Sequence, residues 1–149
     1  MRRLIALLLA SAMAASPALA WDLRKEDHSA ATTETVGDSA VTLRCWRGRD
    51  HLGFELDDLT GGGQHRGEIR NLMLWIKLPD GRTDRWPVGV IAEGPVLSGA
   101  AIVSDFNLGF FANAESLEVT VANTGQLLFR SGMKGTGAAR IAFKERCGI

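Results

Sequence analysis

The stretch that decides the fold is "LMLWIKLPDGRTDRWPVGV", Leu72 to Val90. Leu72, Leu74, Ile76 and Leu78 alternate with Met73, Trp75 and Lys77, the period of two that turns successive side chains to opposite faces of a strand. Pro79-Asp80-Gly81 then makes a turn, because proline presets φ and glycine accepts a positive one. Trp86, Val88 and Val90 resume the alternation on the way back, so the stretch predicts an antiparallel hairpin. Pro87 has no N–H to place in a ladder, which predicts an edge strand or a bulge at that point.

The same pattern recurs on both sides. Upstream, "AVTLRCW" puts Val41, Leu43 and Cys45 on one face and Thr42, Arg44 and Trp46 on the other. After the turn signal Gly48-Arg49-Asp50, "HLGFELDD" alternates again through Leu52, Phe54 and Leu56. "WDLRKED" predicts a first short strand, and the small, polar run "SAATTETVGD" from Ser29 to Asp38 predicts a connection. Downstream, Val96 to Val103 predicts a weaker strand, and "SLEVTVANTGQLLFR" a hairpin about Asn123-Thr124-Gly125. "SDFNLGFFANA" predicts a short helix or buried corner carrying Phe106, Phe110 and Phe111, with Gly109 weakening the helical reading.

The C-terminal segment changes period. Ala139, Ala142 and Phe143 fall on one helical face, Thr136 can cap the start, and Lys144, Arg146 and Gly148 suit the end. A strand with Ile141, Phe143 and Cys147 in phase is the alternative; the Ala-rich, unbranched composition favours the helix. The whole predicts an all-β protein: an antiparallel β-sandwich or flattened barrel of about seven to nine short strands, a short C-terminal helix and one disulfide.

The N-terminus "MRRLIALLLASAMAASPALA" has two arginines, a short apolar run and an Ala-Leu-Ala ending, the organisation of a secretory signal peptide over residues 1–20. The apolar run falls short of the about 20 residues a bilayer span needs. Removing those 20 of 149 residues leaves 129, one domain over 21–149. Losing Arg2 and Arg3 takes the basic count from 17 to 15 against 17 acidic residues, a net charge of −2. No basic excess exists to attract nucleic acid. A periplasmic or secreted location follows, with no transmembrane segment in the mature chain.

Export also bears on Cys45 and Cys147, the only two cysteines. They form no C-x-x-C pair, and an even count in an oxidising compartment predicts an internal disulfide that fastens the C-terminal segment to the strand carrying Cys45.

Chemistry is sparse. His28, His51 and His65 stand apart without a ligand spacing. Asp27 precedes His28 and Asp50 precedes His51, but adjacent residues on a strand face opposite ways. No G-x-S-x-G elbow surrounds Ser98, and "KGTGAAR" lacks the full phosphate-loop spacing. No metal or cofactor is expected. Two features are left as a candidate binding surface. Trp46, Met73 and Trp75 lie out of phase with the aliphatic core positions of their strands, and "DDLTGGGQHRGEIRN", Asp57 to Asn71, is a long glycine-rich connection carrying Gln64, His65 and Arg66. The average burial of tryptophan predicts that the C-terminal helix or a loop covers the aromatic face; otherwise it is a contact surface.

Together, Trp21 at the start of the mature chain, the strand ending "TLRC", the turn "FFANAESLEV" and the ending "KGTGAARIAFKERC" resemble the small exported proteobacterial proteins of the invasion-associated locus B type. That resemblance implies an envelope or secreted protein with an interaction role and transfers no site residue. The expected function is a non-catalytic binding module for another envelope protein or a glycan. The rivals are a hydrolytic or metal-dependent periplasmic enzyme using His51, His65 and the acids near Asp57, and a structural subunit of an envelope complex.

Overall fold

The computed structural model describes residues 20–62 and 66–149. Apart from Ala20, the leader assigned to residues 1–20 lies outside them, as do Gln64 and His65. Nine strands are described: β1 (Asp22–Lys25), β2 (Ser29–Val36), β3 (Ser39–Trp46), β4 (His51–Asp58), β5 (Asn71–Lys77), β6 (Thr83–Glu93), β7 (Val96–Ile102), β8 (Ser116–Val121) and β9 (Leu127–Gly132). Helix α1 (Asp105–Asn113) follows β7, and α2 (Thr136–Cys147) ends the chain. All strands belong to one sheet in the order β1-β2-β3-β4-β7-β6-β5-β8-β9, and every pairing is antiparallel.

This single sheet is curled into a half-barrel, the barrel-like form of the expected all-β fold, and the core lies inside the curl and under the helices. Its two margins approach one another where the Trp21 backbone N–H donates to the Lys134 carbonyl and the Trp21 indole donates to the Gly132 carbonyl, both at 2.9 Å. Gly135 opens α2 beside this contact with φ 95°, and a Cβ there would come within 3.2 Å of the Trp21 carbonyl oxygen. Glycine meets both demands, the left-handed backbone and the close approach.

Strand order explains the long connection. β4 and β5 are separated by β7 and β6, so the chain must travel three strand spacings, roughly 14 Å, before it can pair again. The β6–β7 hairpin then fills the space it skipped. Gly94, at φ 59°, takes the positive-φ position at the head of that hairpin's two-residue loop. Arg66, in a single 3-10 turn Arg66–Glu68, donates through Nη1 to the Leu56 carbonyl at 3.2 Å and the Pro95 carbonyl at 3.1 Å. It thereby ties the crossing segment to the end of β4 and to the hairpin beneath.

The inner face is built as the alternation predicts. Val41, Leu43, Leu52, Phe54, Leu56, Leu72, Leu74, Ile76, Trp86 and Val88 are buried in one cluster. Phe111 of α1 is its aromatic hub, with ring centroids 5.6 Å from Trp21, 5.9 Å from Trp86 and 6.5 Å from Phe143 of α2. Burying one such ring contributes about 1.5–3 kcal/mol. Ser104 starts α1 with a capping box: Asn107 N–H donates to Ser104 Oγ while the Ser104 N–H donates to Asn107 Oδ1. Asn107 also donates to Asp84 Oδ2 on β6 at 2.8 Å, the oxygen that accepts the Trp86 indole N–H at 2.7 Å.

Four local expectations are corrected. Ser29–Val36 is a strand, β2, followed by a tight turn at Gly37 with φ 58°, and not a connection. Its buried Ala30, Thr32 and Glu34 keep period two, and Ala30 is small enough for α2, which packs here with Ala139 and Ala142 buried. β6 is an interior strand; Pro87 is tolerated because pairing with β7 begins only at Gly89, leaving the first half of β6 a local edge. The N-cap of α2 is Gly135, not Thr136. Thr136 is the buried first helical residue, its hydroxyl 2.8 Å from the carbonyl oxygens of both Phe111 and Met133. The helices cover the inner face, so neither shelters the face that carries Trp46 and Trp75.

The predicted disulfide is formed. Cys45 at the end of β3 is bonded to Cys147 at the end of α2, with 102 residues of separation. Arg47 reinforces the junction by donating to the Arg146 carbonyl at 3.1 Å and the Glu145 carbonyl at 3.4 Å, two of the carbonyls a helix end leaves without intrahelical partners.

Candidate functional site

The outer face of the sheet departs most from an ordinary solvated surface. Outward residues of an antiparallel sheet line up in rows across the strands, and one row here is mostly glycine and alanine. Gly53 of β4 pairs with Ala100 of β7, Ala100 with Gly89 of β6, and Gly89 with Asn71 of β5. Three successive strands thus present glycine, alanine and glycine; with Gly53 lying under the indole of Trp46, Ala100 and Gly89 form a shallow trough about two strand spacings long, roughly 10 Å.

The rows on either side differ in chemistry. Toward one end of the strands stand Trp46, His51 and Ile102 and, across the point where the β6–β7 pairing has ended, Pro87 and Met73. His51 is opposite Ile102, Pro87 is opposite Met73, and Trp46 lies two residues beyond Arg44, the partner of Gly53. Ile102 is 83 % exposed and Trp46 39 %. Toward the other end run Glu55 and Ser98, directly paired, followed by Ile91. The trough therefore has one largely apolar wall and one mostly polar wall.

Trp46 closes the β3 end. A Cβ on Gly53 would fall 2.9 Å from Trp46 Cζ3 and 3.0 Å from Cη2, so the indole occupies the space that any other residue at 53 would fill. The Arg44 guanidinium stands 5.9 Å from the ring centroid, a cation–π distance. Thr42, Arg44, Trp46, Gly53, Glu55 and Ser98 border a notch of about 130 Å³ there. At the opposite end, Asn71 reaches toward Gly89 and also lines a wider cleft of about 670 Å³ with Glu68, Arg70, Asn123, Thr124 and Gln126. Ile69 and Val121 supply its apolar lining.

The aromatic surface expected from strand phase thus divides: Trp46 and Met73 stand at the two ends of one wall, whereas Trp75 is one row further from the trough. Trp75 is half-buried and committed to its neighbours. Its indole N–H donates to Thr120 Oγ1 at 3.0 Å, and Arg85 stands 5.9 Å from its ring. Opposite Trp75, Glu118 is paired with Arg130 at 2.9 Å. Arg66, the described member of the loop candidates, spends its guanidinium on backbone carbonyls.

The described residues considered for acid–base or metal chemistry, His51 and Asp57, do not converge. His51 and Asp57 stand at opposite ends of β4, six residues and roughly 20 Å apart. His51 does meet Asp50, its Nδ1 lying 3.2 Å from Asp50 Oδ1, because Asp50 precedes the strand and escapes its alternation. That contact holds the Asp50 carboxyl below its ordinary range. Among the described residues, no group of three or more His, Cys, Asp and Glu side chains is placed to hold a metal ion, and no helix is long and apolar enough to cross a membrane.

The trough itself is not foreseen by the sequence pattern. Gly53, Gly89 and Ala100 look like ordinary strand positions until the register aligns them. No protein-family model matches the chain, and no curated protein or solved structure matches it.

Proposed function

We propose that this chain is an exported, non-catalytic binding module that receives part of another envelope macromolecule in the outer-face trough. The observation that carries the reading is the small-residue row Gly53–Ala100–Gly89, covered at its Gly53 end by the indole of Trp46 and bounded at the other by the amide of Asn71. Backbone laid bare on the outside of a sheet permits close approach of a partner, and glycine in a strand interior otherwise weakens the strand. The Cys45–Cys147 disulfide supports an oxidising, extracytoplasmic location, periplasmic or secreted, as does the resemblance to exported proteins of the invasion-associated locus B type.

Filling the trough tests the reading without touching the core. Ala100 is exposed, so Ala100→Leu adds bulk on the floor while the inner face is unchanged. Immobilised wild-type and Ala100→Leu chains of equal thermal stability are incubated with envelope extract. The wild type is expected to deplete a protein or polysaccharide component that the variant leaves in solution; equal depletion by both would remove the trough from consideration.

A further inference from the structure

We infer that the fold shields its own leader cleavage bond, Ala20–Trp21, so that the leader must be removed before the sheet margins close; this rests on the reading of residues 1–20 as an export leader. Ala18 and Ala20 are the small residues that a leader peptidase reads, and hydrolysis after Ala20 makes Trp21 the first residue of the mature chain. Water adds across the amide: the C–N bond breaks, Ala20 keeps a carboxylate and the Trp21 nitrogen becomes an α-amino group. Ala20 is exposed, but Trp21 is only 4 % exposed. The cut therefore falls where the chain enters the fold.

Three sets of contacts hold the residues after the cut. The Trp21 backbone N–H, part of the scissile amide itself, donates to the Lys134 carbonyl, and the Trp21 indole donates to the Gly132 carbonyl, both at 2.9 Å. The indole also packs edge-on against Phe111, with centroids 5.6 Å apart. Asp22 to Lys25 are paired with β2, from Thr33 to Ala30. Gly135 crowds the bond further: a Cβ there would stand 3.4 Å from the Trp21 nitrogen and 3.5 Å from the Ala20 Cβ.

A peptidase takes its substrate as an extended strand, with backbone on both sides of the cut free to pair. Beyond this cut the backbone is already bonded, so cleavage of the folded chain requires Trp21 to detach from Lys134 and Gly132 first. Its rate is then set by how often that margin opens. Cleavage itself forfeits no contact, because the new α-amino group still donates to the Lys134 carbonyl. Leader removal and closure of the half-barrel are thus competing fates. A chain cut while unfolded closes into the mature form; a chain that closes first keeps its leader. The Cys45–Cys147 bond, at the far end of the helix that Gly135 opens, makes the closed state more persistent.

The experiment presents the full-length chain, oxidised and folded in detergent micelles, to purified bacterial leader peptidase and follows the cut by mass spectrometry. Leu43→Asp, which sets a carboxylate at a fully buried position, supplies an unfolded chain with the cleavage sequence intact. Leu43→Asp is expected to be cut at Ala20–Trp21, and the folded wild type at least about tenfold more slowly, because only its opened fraction is a substrate. Gly135→Ala, verified as folded by thermal melting, pushes on Trp21 without altering the cleavage sequence and is expected to be cut faster than wild type. Should it fail to fold, Cys45→Ala/Cys147→Ala takes its place with the same expectation. Equal rates for wild type and Leu43→Asp would overturn the inference, as would a folded, loosened variant cut no faster than wild type. If Leu43→Asp is also left uncut, the leader reading itself fails and the inference goes with it.

Discussion

Trp46 lies over Gly53: its six-membered ring takes the place a Cβ at position 53 would need, 2.9 Å from that point. The two residues sit on neighbouring strands, so the position of the indole is set by what its neighbour lacks. Gly53→Ala must lift the ring or push the strands apart. Because Gly53 is on the outer face and alanine gains strand propensity over glycine, the folding cost should stay within about 1 kcal/mol. The indole should instead become more exposed, seen as greater acrylamide quenching in Gly53→Ala than in wild type. That excess should vanish when Trp46→Phe is added; an excess that persists would place the change at another tryptophan.

The same indole strand ends in the covalent lock. Bridging Cys45 to Cys147 closes a loop of about 100 residues, and loss of a native disulfide costs about 2–5 kcal/mol in small exported domains. Cys45→Ala/Cys147→Ala is expected to lose stability in that range by urea denaturation. Arg47→Ala, which frees two carbonyls at an exposed helix end, should cost only about 0.3–1 kcal/mol. Combined variants additive to within a few tenths would show that lock and cap act separately. A strongly non-additive result would mean that the Arg47 contact exists only when the disulfide holds it.

Strand identity is legible in the sequence wherever bulky aliphatics alternate, as at Leu72–Ile76 and Leu52–Leu56, because hydrophobic period directly encodes which face is buried. It is obscured in Ser29–Val36, where the buried side chains are Ala30, Thr32 and Glu34: these positions lie close under α2, and small or polar residues carry no hydrophobic signal. The disulfide follows from cysteine count and export alone. The trough does not. Gly53, Gly89 and Ala100 are 36 and 11 positions apart along the chain and meet only because β7 returns to lie between β4 and β6, an order that local pattern does not specify. The outward phase of Trp46 and Trp75 is readable, but their different fates depend on cross-strand partners, Gly53 for one and Thr120 for the other.

Phe111 joins elements remote in sequence: its ring meets Trp21 at the N-terminal margin, Trp86 of β6 and Phe143 of α2. Phe111→Ala is expected to cost about 3–5 kcal/mol, the range for removing a buried ring whose surroundings relax incompletely. Phe106→Ala, on the same helix but 70 % exposed, should stay within about 0.5 kcal/mol. Guanidinium denaturation of the two variants measures the contrast. Similar losses would mean that α1 contributes through its own formation rather than through its packing on the core.

Glu34 is a charged residue that the fold buries on its inner side, 7 % exposed in β2 between buried Thr32 and the end of the strand. Desolvation raises its pKa above the ordinary carboxylate value, and no side-chain hydrogen bond to a described residue offsets it. A folded-state pKa above the unfolded one means that the native protein binds this proton more tightly. The protonated form therefore favours the fold, and stability is lost as pH rises from below the ordinary value through the raised one. Glu34→Gln keeps the shape and removes the charge. The variant should be more stable than wild type at about pH 7, with the advantage shrinking toward about pH 4 as the native carboxyl takes up its proton. Urea denaturation of both chains at the two pH values isolates the effect, since other titrating groups cancel in the difference. An advantage equal at both would assign it to the new amide's contacts instead of to the charge.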